Sequence, residues 1–265
     1  MTDLRDDHAV MSRFPTELRR WRSARRLSQL ELAVRAETTQ RHVSFIEQGR
    51  SRPGRGVVVR LAEAMELSLR ERNELLVSAG FAPAFPESPL DDESLGPVRQ
   101  ALDTILDGHL PYPAIVARPH GILVAANRAF DLFNEGVDAA LLEPPVNLFR
   151  HALHPDGLAR RVRNLPVWGR HITQHVRAQL ARSPDPELEV LLAELEGYLP
   201  PLPDEVDVLG FAVPLELASA DGELRLITTL TSFATAADVT LAELSLEAFL
   251  PADEFTAEVL RRRWG

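Results

Sequence analysis

Up to Gly80, apolar side chains recur at the spacing of a helix face, in short runs. Leu18 and Trp21 mark a segment from Thr16 to Arg26. Leu32, Ala33 and Ala36 follow, then Val43 and Ile46. Val58, Leu61, Ala62 and Met65 share one side between Val57 and Leu67, and Leu75, Leu76 and Ala79 close the series. Capping chemistry punctuates these runs. Ser28 with Glu31, and Ser68 with Glu71, have the spacing of a capping box, in which hydroxyl and carboxylate each satisfy an orphan N–H. Thr38 is placed to cap the helix that holds Val43, and Gly49 to end it. The pattern predicts five short amphipathic helices packed as an all-α domain.

The period changes beyond Phe81–Pro89, which is too rich in proline for a helix, and the acidic run Asp91-Asp92-Glu93. Val98, Leu102, Ile105 and Leu106 predict a helix that breaks at His109–Pro113. Ala114–Arg118 and Ile122–Ala125 read as strands about a Pro119-His120-Gly121 turn, and Asn127 opens a helix with Phe130 and Phe133. Val146–Tyr198 reads as helix in pieces, interrupted at Pro155-Asp156-Gly157, at Pro166 and at Ser183–Pro186. Leu209–Leu217 and Leu224–Phe233 are strand-like runs joined by Ala220-Asp221-Gly222. Leu241–Phe249 alternates, with Leu244, Leu246 and Ala248 on one side, and reads as a strand with a helix as the alternative; a last helix begins near Pro251. Two strands, several helices and three strands make an α+β domain, an antiparallel sheet with helices on one face. That is the order of a PAS-type sensor, and the gap between sheet and helices is a natural ligand cavity. The expected organisation is a helical domain over 13–82, a Pro-rich linker over 83–97 and the α+β domain over 98–265.

Charge separates the two parts. From Arg13 to Arg60 there are 12 Arg against 4 Glu, a local net of +8 in a chain whose net charge is −10. A basic head on an acidic body is expected when one domain meets a polyanion. The helix behind Thr38 presents Thr39, Gln40, Arg41 and Ser44 on the side opposite Val43 and Ile46, and so can lay hydrogen-bonding groups in a DNA major groove. Arg25, Arg26, Arg50, Arg52 and Arg55 are candidate phosphate contacts, which position the protein without reading sequence.

Composition narrows the remaining classes. All 29 basic residues are arginine, and there is no cysteine for a disulfide or a thiolate metal site. No apolar run reaches membrane-span length and the N-terminus lacks a signal-peptide core, so a cytoplasmic protein is expected. His151 with His154, and His171 with His175, have metal-like spacings but no supporting Glu or Cys, so no metal site is expected. No phosphate loop, nucleophile elbow or carboxylate pair is visible, and no enzyme is expected. An enzyme domain and a pure dimerisation module stand as the alternatives to a ligand sensor.

Leu27-Ser28-Gln29, Leu32-Ala33, Thr38-Thr39-Gln40, Ile46-Glu47, Gly49-Arg50 and Pro53 resemble the helix-turn-helix of the XRE group. That resemblance implies that Gln29 holds a phosphate, that Thr39, Gln40 and Arg41 read base edges, and that Ser44 and Phe45 lie one turn further along the groove. Phe45 would meet a thymine methyl there, while Arg50 and Arg52 follow in the exit loop. Glu37 departs from the group, standing at a turn where glycine is usual. A positive φ at that residue costs on the order of 1 kcal/mol.

A second resemblance spans about 13 to 262. Ala79-Gly80-Phe81-Ala82-Pro83, His109 with Pro111-Tyr112-Pro113-Ala114, Ala126-Asn127, Asn147-Leu148 with Arg150, His154-Pro155 with Gly157, and Phe249 with Pro251-Ala252-Asp253 occur in the order of the MmyB-like transcription regulators. The resemblance implies an XRE-type domain joined to a PAS-like domain that takes a fatty-acid-like or other lipid-like ligand. Its partners would be double-stranded DNA with a palindromic operator, a second copy in a homodimer, and a small apolar or acidic molecule. On this reading Arg150 or His154 receives an acidic head group. Phe130, Phe133, Leu148, Trp168 and Phe211 line an apolar tunnel, and Tyr112, Asn127 and Asn147 complete the candidate set. The structural alternative is that the polar members only cap helices and tie the long loop to the sheet.

Overall fold

Paired caps start two of the first five helices. The computed structural model describes residues 13–90, 92–202, 213–233 and 236–265. It opens with α1 (Arg13–Ala24), α2 (Gln29–Arg35), α3 (Gln40–Glu47), α4 (Arg55–Ala64) and α5 (Leu69–Ser78). Ser28 and Ser68 each form the full capping box with Glu31 and Glu71. The cap of α3 falls one residue later than the spacing predicts. Thr39 Oγ1 accepts from His42 N–H, while Thr38 turns its hydroxyl to His42 Nδ1 at 2.9 Å. The cause lies at Glu37, which adopts φ 52° and leaves Thr38 still inside the turn. Gly49, at φ 71°, ends α3 in the same left-handed region.

One carboxylate ties three of these helices together. Glu47, at the end of α3, has a side chain only 1% exposed. It accepts from Arg22 of α1 at 2.6 and 3.0 Å and from Gln29 of α2 at 2.8 Å. Burial pushes its pKa up, but the hydrogen bonds from Arg22 and Gln29 outweigh this and hold it below the usual carboxylate range. Leu18, Trp21, Leu32, Val43, Ile46, Leu61 and Leu75 fill the core around this network.

The chain divides into two compact units, and the division is not linear. One takes in the chain through Ser88 and the segment ending at Ala242; the other holds Pro89–Phe233 and Glu243–Gly265. In the first unit, Asn73 Oδ1 accepts from Ala84 and Phe85 N–H and fixes the start of the Pro-rich stretch. Asp238 accepts from Ser88 N–H, and Val239 N–H donates to Pro86.

The second unit begins with α6 (Gly96–Gly108) and the hairpin of β1 (Ala114–Arg118) and β2 (Ile122–Ala126). Helices α7 (Asp131–Asn134), α8 (Leu148–Leu153), α9 (Leu165–Arg182) and α10 (Pro186–Tyr198) follow. Strands β3 (Leu215–Ser219) and β4 (Gly222–Ser232) come next, then α11 (Val239–Ala242) within the first unit, β5 (Ser245–Pro251) and α12 (Glu254–Trp264). The sheet is antiparallel throughout, in the order β2-β1-β5-β4-β3.

Three elements differ from expectation. Pro166 does not interrupt a helix but sits in the first turn of α9, where its missing N–H costs nothing. Leu241 and Ala242 are helical rather than the start of a strand, because Asp238 caps α11 by accepting from Thr240 and Leu241 N–H. The expected Leu209–Leu217 strand is seen from Leu215, and Leu209 through Ala212 lie outside the described residues.

The sheet is also more enclosed than a one-faced layer. Ala114, Ile115, Val116 and Ala117 are all buried, so both faces of β1 are covered, and α6 packs on that strand with Leu102 and Leu106 buried. Asn127 holds this corner: its amide donates to Leu106 and Tyr112 carbonyls, and its carbonyl accepts from Ala114 N–H. No helix among the described residues is long and apolar enough to cross a membrane.

Replacing Glu47 with Ala should destabilise the helical unit by about 3 kcal/mol, the low end for a broken buried pair because its arginines keep some solvent. Arg19→Ala, which removes only the exposed partner, should cost less than about 1 kcal/mol. Urea denaturation of the full chain measures both.

Candidate DNA-reading helix and ligand cavity

Helix α3 is amphipathic in the sense the pattern requires. Val43 and Ile46 are fully buried, Thr39, Gln40 and Arg41 are exposed, and Ser44 and Phe45 are half-buried beside them. The Arg41 guanidinium lies 5.1 Å from the Phe45 ring centroid, so the ring restrains that side chain by a cation–π contact. Gln48 donates to Ser44 Oγ at 2.9 Å. Gln29, at the start of α2, gives its amide to Glu47 and is thereby held against α3.

The arginines fall into two groups. Arg22 and Arg25 are structural: Arg25 donates to the Met65 carbonyl and to Glu71 at 3.0 Å, so it is not a free phosphate contact. Sequence spacing hides this, because the Glu71 that caps α5 lies far along the chain from α1. Among the described residues, Arg26, Arg41, Arg50, Arg52 and Arg55 are exposed and form no ion pair. Arg50 and Arg52 follow Gly49 in the loop that leaves α3.

In the second unit a cavity of about 320 Å³ lies between the sheet and its helices. Its interior is apolar and largely aromatic: Phe130, Phe133, Trp168, Leu215 and Phe249 are buried there. Phe133 meets Phe130 edge-on at 5.6 Å and Phe249 at 4.7 Å. Phe149 closes one side against Gly121; a Cβ there would lie 2.7 Å from the ring, and φ of +70° favours glycine as well. His171, His175, Thr228 and Leu230 are the exposed lining residues and form the rim.

Two polar groups break the apolar wall. His151 shares a hydrogen bond with Asn134 Oδ1 at 3.1 Å, and burial pushes its pKa down to about 4, so the ring is neutral. Glu247 stands on β5 opposite Leu230 of β4, and burial raises its carboxyl. Among the described residues it has no hydrogen-bond or ion-pair partner. No group of three or more His, Cys, Asp or Glu that could hold a metal is found among the described residues.

The expected ligand set divides. Phe130, Phe133, Leu148 and Trp168 lie on the cavity wall, whereas Tyr112, Asn127, Asn147, Arg150 and His154 do not. Asn147 caps α8 by accepting from Phe149 and Arg150 N–H, and it donates to the His120 carbonyl. Arg150 makes a two-point pair with Glu194 at 2.7 Å for each bond, so its charge is already matched. His154 accepts from Asp156 N–H and packs edge-on against Tyr198. Tyr112 packs against the core, and Phe211 lies outside the described residues. Glu247 was missed because alternation along β5 put it opposite the buried leucines, on the side that reads as solvent-facing.

Comparison with known proteins follows the same division. Residues 98–262 match the model of the MmyB-like transcription regulator ligand binding domain, and residues 14–75 match a helix-turn-helix domain. The chain is 43% identical over 53 residues to an uncharacterised HTH-type transcriptional regulator of Sinorhizobium fredii, covering 20% of this chain and 27% of the relative. A solved RNA-binding light-oxygen-voltage receptor matches at 16% identity with a TM-score of 0.25, over 98% of this chain and 64% of the other. A score that low says nothing of shared architecture.

The Arg150–Glu194 pair leaves a pH signature. Its hydrogen bond from Arg150 chiefly holds Glu194 down, from 4.5 to about 2. A depressed folded-state pKa gives stability that is present above about 4.5 and is lost as pH falls toward 2. Glu194→Gln should flatten that acid limb, and Arg150→Ala should cost about 1 kcal/mol at neutral pH, this partly exposed pair being screened by solvent. Thermal melts across pH check the first and urea titration the second.

Proposed function

Because the chain belongs to the MmyB-like transcription regulators, and joins a helix-turn-helix domain to that family's ligand-binding domain, we propose that it is a cytoplasmic, sequence-specific DNA-binding regulator answering to an apolar small molecule. Helix α3 enters the major groove, with Thr39, Gln40 and Arg41 at base edges and Ser44 and Phe45 one turn further in. Gln29, Arg50 and Arg52 hold phosphates, and the unpaired Arg26 and Arg55 extend that footprint. The protein acts as a homodimer on a palindromic operator, each copy reading a half-site about 34 Å from the other.

The ligand occupies the cavity of the second unit, with Phe130, Phe133, Leu148 and Trp168 against its apolar body; a fatty acid or a similar lipid-like molecule belongs to that class. It changes DNA binding by favouring one conformational state over another, since equal affinity for both would shift nothing. The observation that carries this reading is the pairing, in one chain, of an exposed helix face flanked by unpaired arginines with a mainly apolar cavity.

Selection from genomic fragments, followed by titration of the recovered site, tests the DNA half. Affinity should fall steeply with salt, and Arg50→Ala should weaken all sequences alike while lowering the salt slope by about 1. Gln40→Ala should instead cost about 1–3 kcal/mol at one base position. Failure to enrich any fragment would sink the regulator reading. Native mass spectrometry of freshly purified protein tests the other half, where a retained small molecule is the expected result.

A further inference from the structure

His151 brings a lone pair to the cavity wall. The residue is only 2% exposed and lines the cavity beside Phe130, with 5.6 Å between ring centroids. Its tautomer follows from a relay of hydrogen bonds. Asn134 Nδ2 donates to Asp131 Oδ1, which leaves Asn134 Oδ1 as the acceptor facing His151. His151 Nε2 therefore carries the ring proton, and Nδ1 of the neutral ring is an acceptor. Among the described residues, the side-chain atoms buried without a partner are Trp21 Nε1, Arg161 Nη2 and Asp221 Oδ2. His151 Nδ1 is not one of them, so it keeps accessible surface, on the cavity that the ring lines. We propose that His151 anchors the polar end of the ligand, its Nδ1 accepting from an O–H on an apolar chain, so that a fatty-acid-like molecule binds as the undissociated acid.

The inference rests on the reading of this cavity as the ligand site, and adds which residue meets the head group and in what protonation state. Burial alone pushes the His151 pKa down to about 4, so the ring offers a lone pair rather than a positive charge. The described wall holds no arginine, the chain has no lysine, and residues 203–212, outside the described set, include no basic residue. An ionised carboxylate would lose its water there without gaining a countercharge. The protonated acid loses far less and gains an O–H···N bond. The other ionisable groups of the wall are Glu247 of β5, whose carboxyl burial raises, and His171 and His175 of α9 at the exposed rim. On the elements packed against α8, His120 bonds to Asp185, Glu194 to Arg150, Arg160 to Asp156 and Arg161 to Glu135, so each charge is matched by its own partner.

Calorimetric titration of the full chain with decanol, methyl decanoate and decanoate, each below its aggregation threshold, tests this. Decanol should bind about tenfold tighter than the ester, which has no O–H to give, and His151→Leu should erase that preference. Decanoate should lose affinity as pH rises from about 6 to about 8, by up to about tenfold per pH unit, because each molecule bound takes up a proton, while decanol stays flat. Replacing His171 and His175 together with Ala should leave that slope in place. An ester that binds as tightly as decanol, or a preference that survives in folded His151→Leu, would overturn the anchor. A pH-independent decanoate affinity, or a slope lost with the rim histidines, would show the acid bound as an anion and overturn its protonation state. In each of these cases the cavity remains a ligand site. If none of the three molecules binds, that reading falls too. Circular dichroism reports whether His151→Leu folds, and should it not, the wild-type ranking of alcohol against ester decides.

Discussion

A buried carboxylate sets the position of the helix on which any DNA reading depends. Glu47 ends α3, and its oxygens are shared by Arg22 of α1 and Gln29 of α2. A charge so placed is tolerated only while each of its partners stays in place, so the three helices have one mutual arrangement rather than a range. Apolar packing of Val43 and Ile46 holds α3 down but does not by itself fix its rotation or its register. The network does, and the exposed Thr39, Gln40 and Arg41 inherit that precision.

The second unit uses a neutral version of the same device. Asn127 reaches two carbonyls and one amide from separate stretches of chain, and so locks α6 and the approach to β1 to the start of the following helices. With that corner fixed, the helices can stand off the sheet far enough to leave a hollow. The wall around it stays firm through edge-on aromatic contacts and the close approach of Phe149 to Gly121.

What could be read from the sequence was local. Capping boxes at Ser28 and Ser68, the strained turn at Glu37 and the hairpin at Pro119–Gly121 each depend on neighbours within a few residues, and the structure has them all. Most misreadings were failures of long-range partner assignment. Arg25 and Arg150 look like free cations until Glu71 and Glu194, distant in sequence, are brought beside them. Asn147 looks like a ligand contact until the chain folds back and gives it the His120 carbonyl. Glu247 was overlooked for the converse reason: a polar residue on an alternating strand suggests the solvent-facing side, and only the folded sheet places it on the cavity wall.

The placement of α11 has a consequence for how the protein can be divided. The backbone leaves the first unit after Ser88, returns to it for Asp238 and Val239, and departs again into β5. No single cut therefore releases two intact pieces. A fragment ending near the Pro-rich stretch would keep α1 to α5 yet lose α11 and the hydrogen bonds that Asp238 and Val239 make to Ser88 and Pro86, and the severed remainder would carry an orphaned strap between two neighbouring strands. Fusion or truncation at that boundary is then a change to both parts.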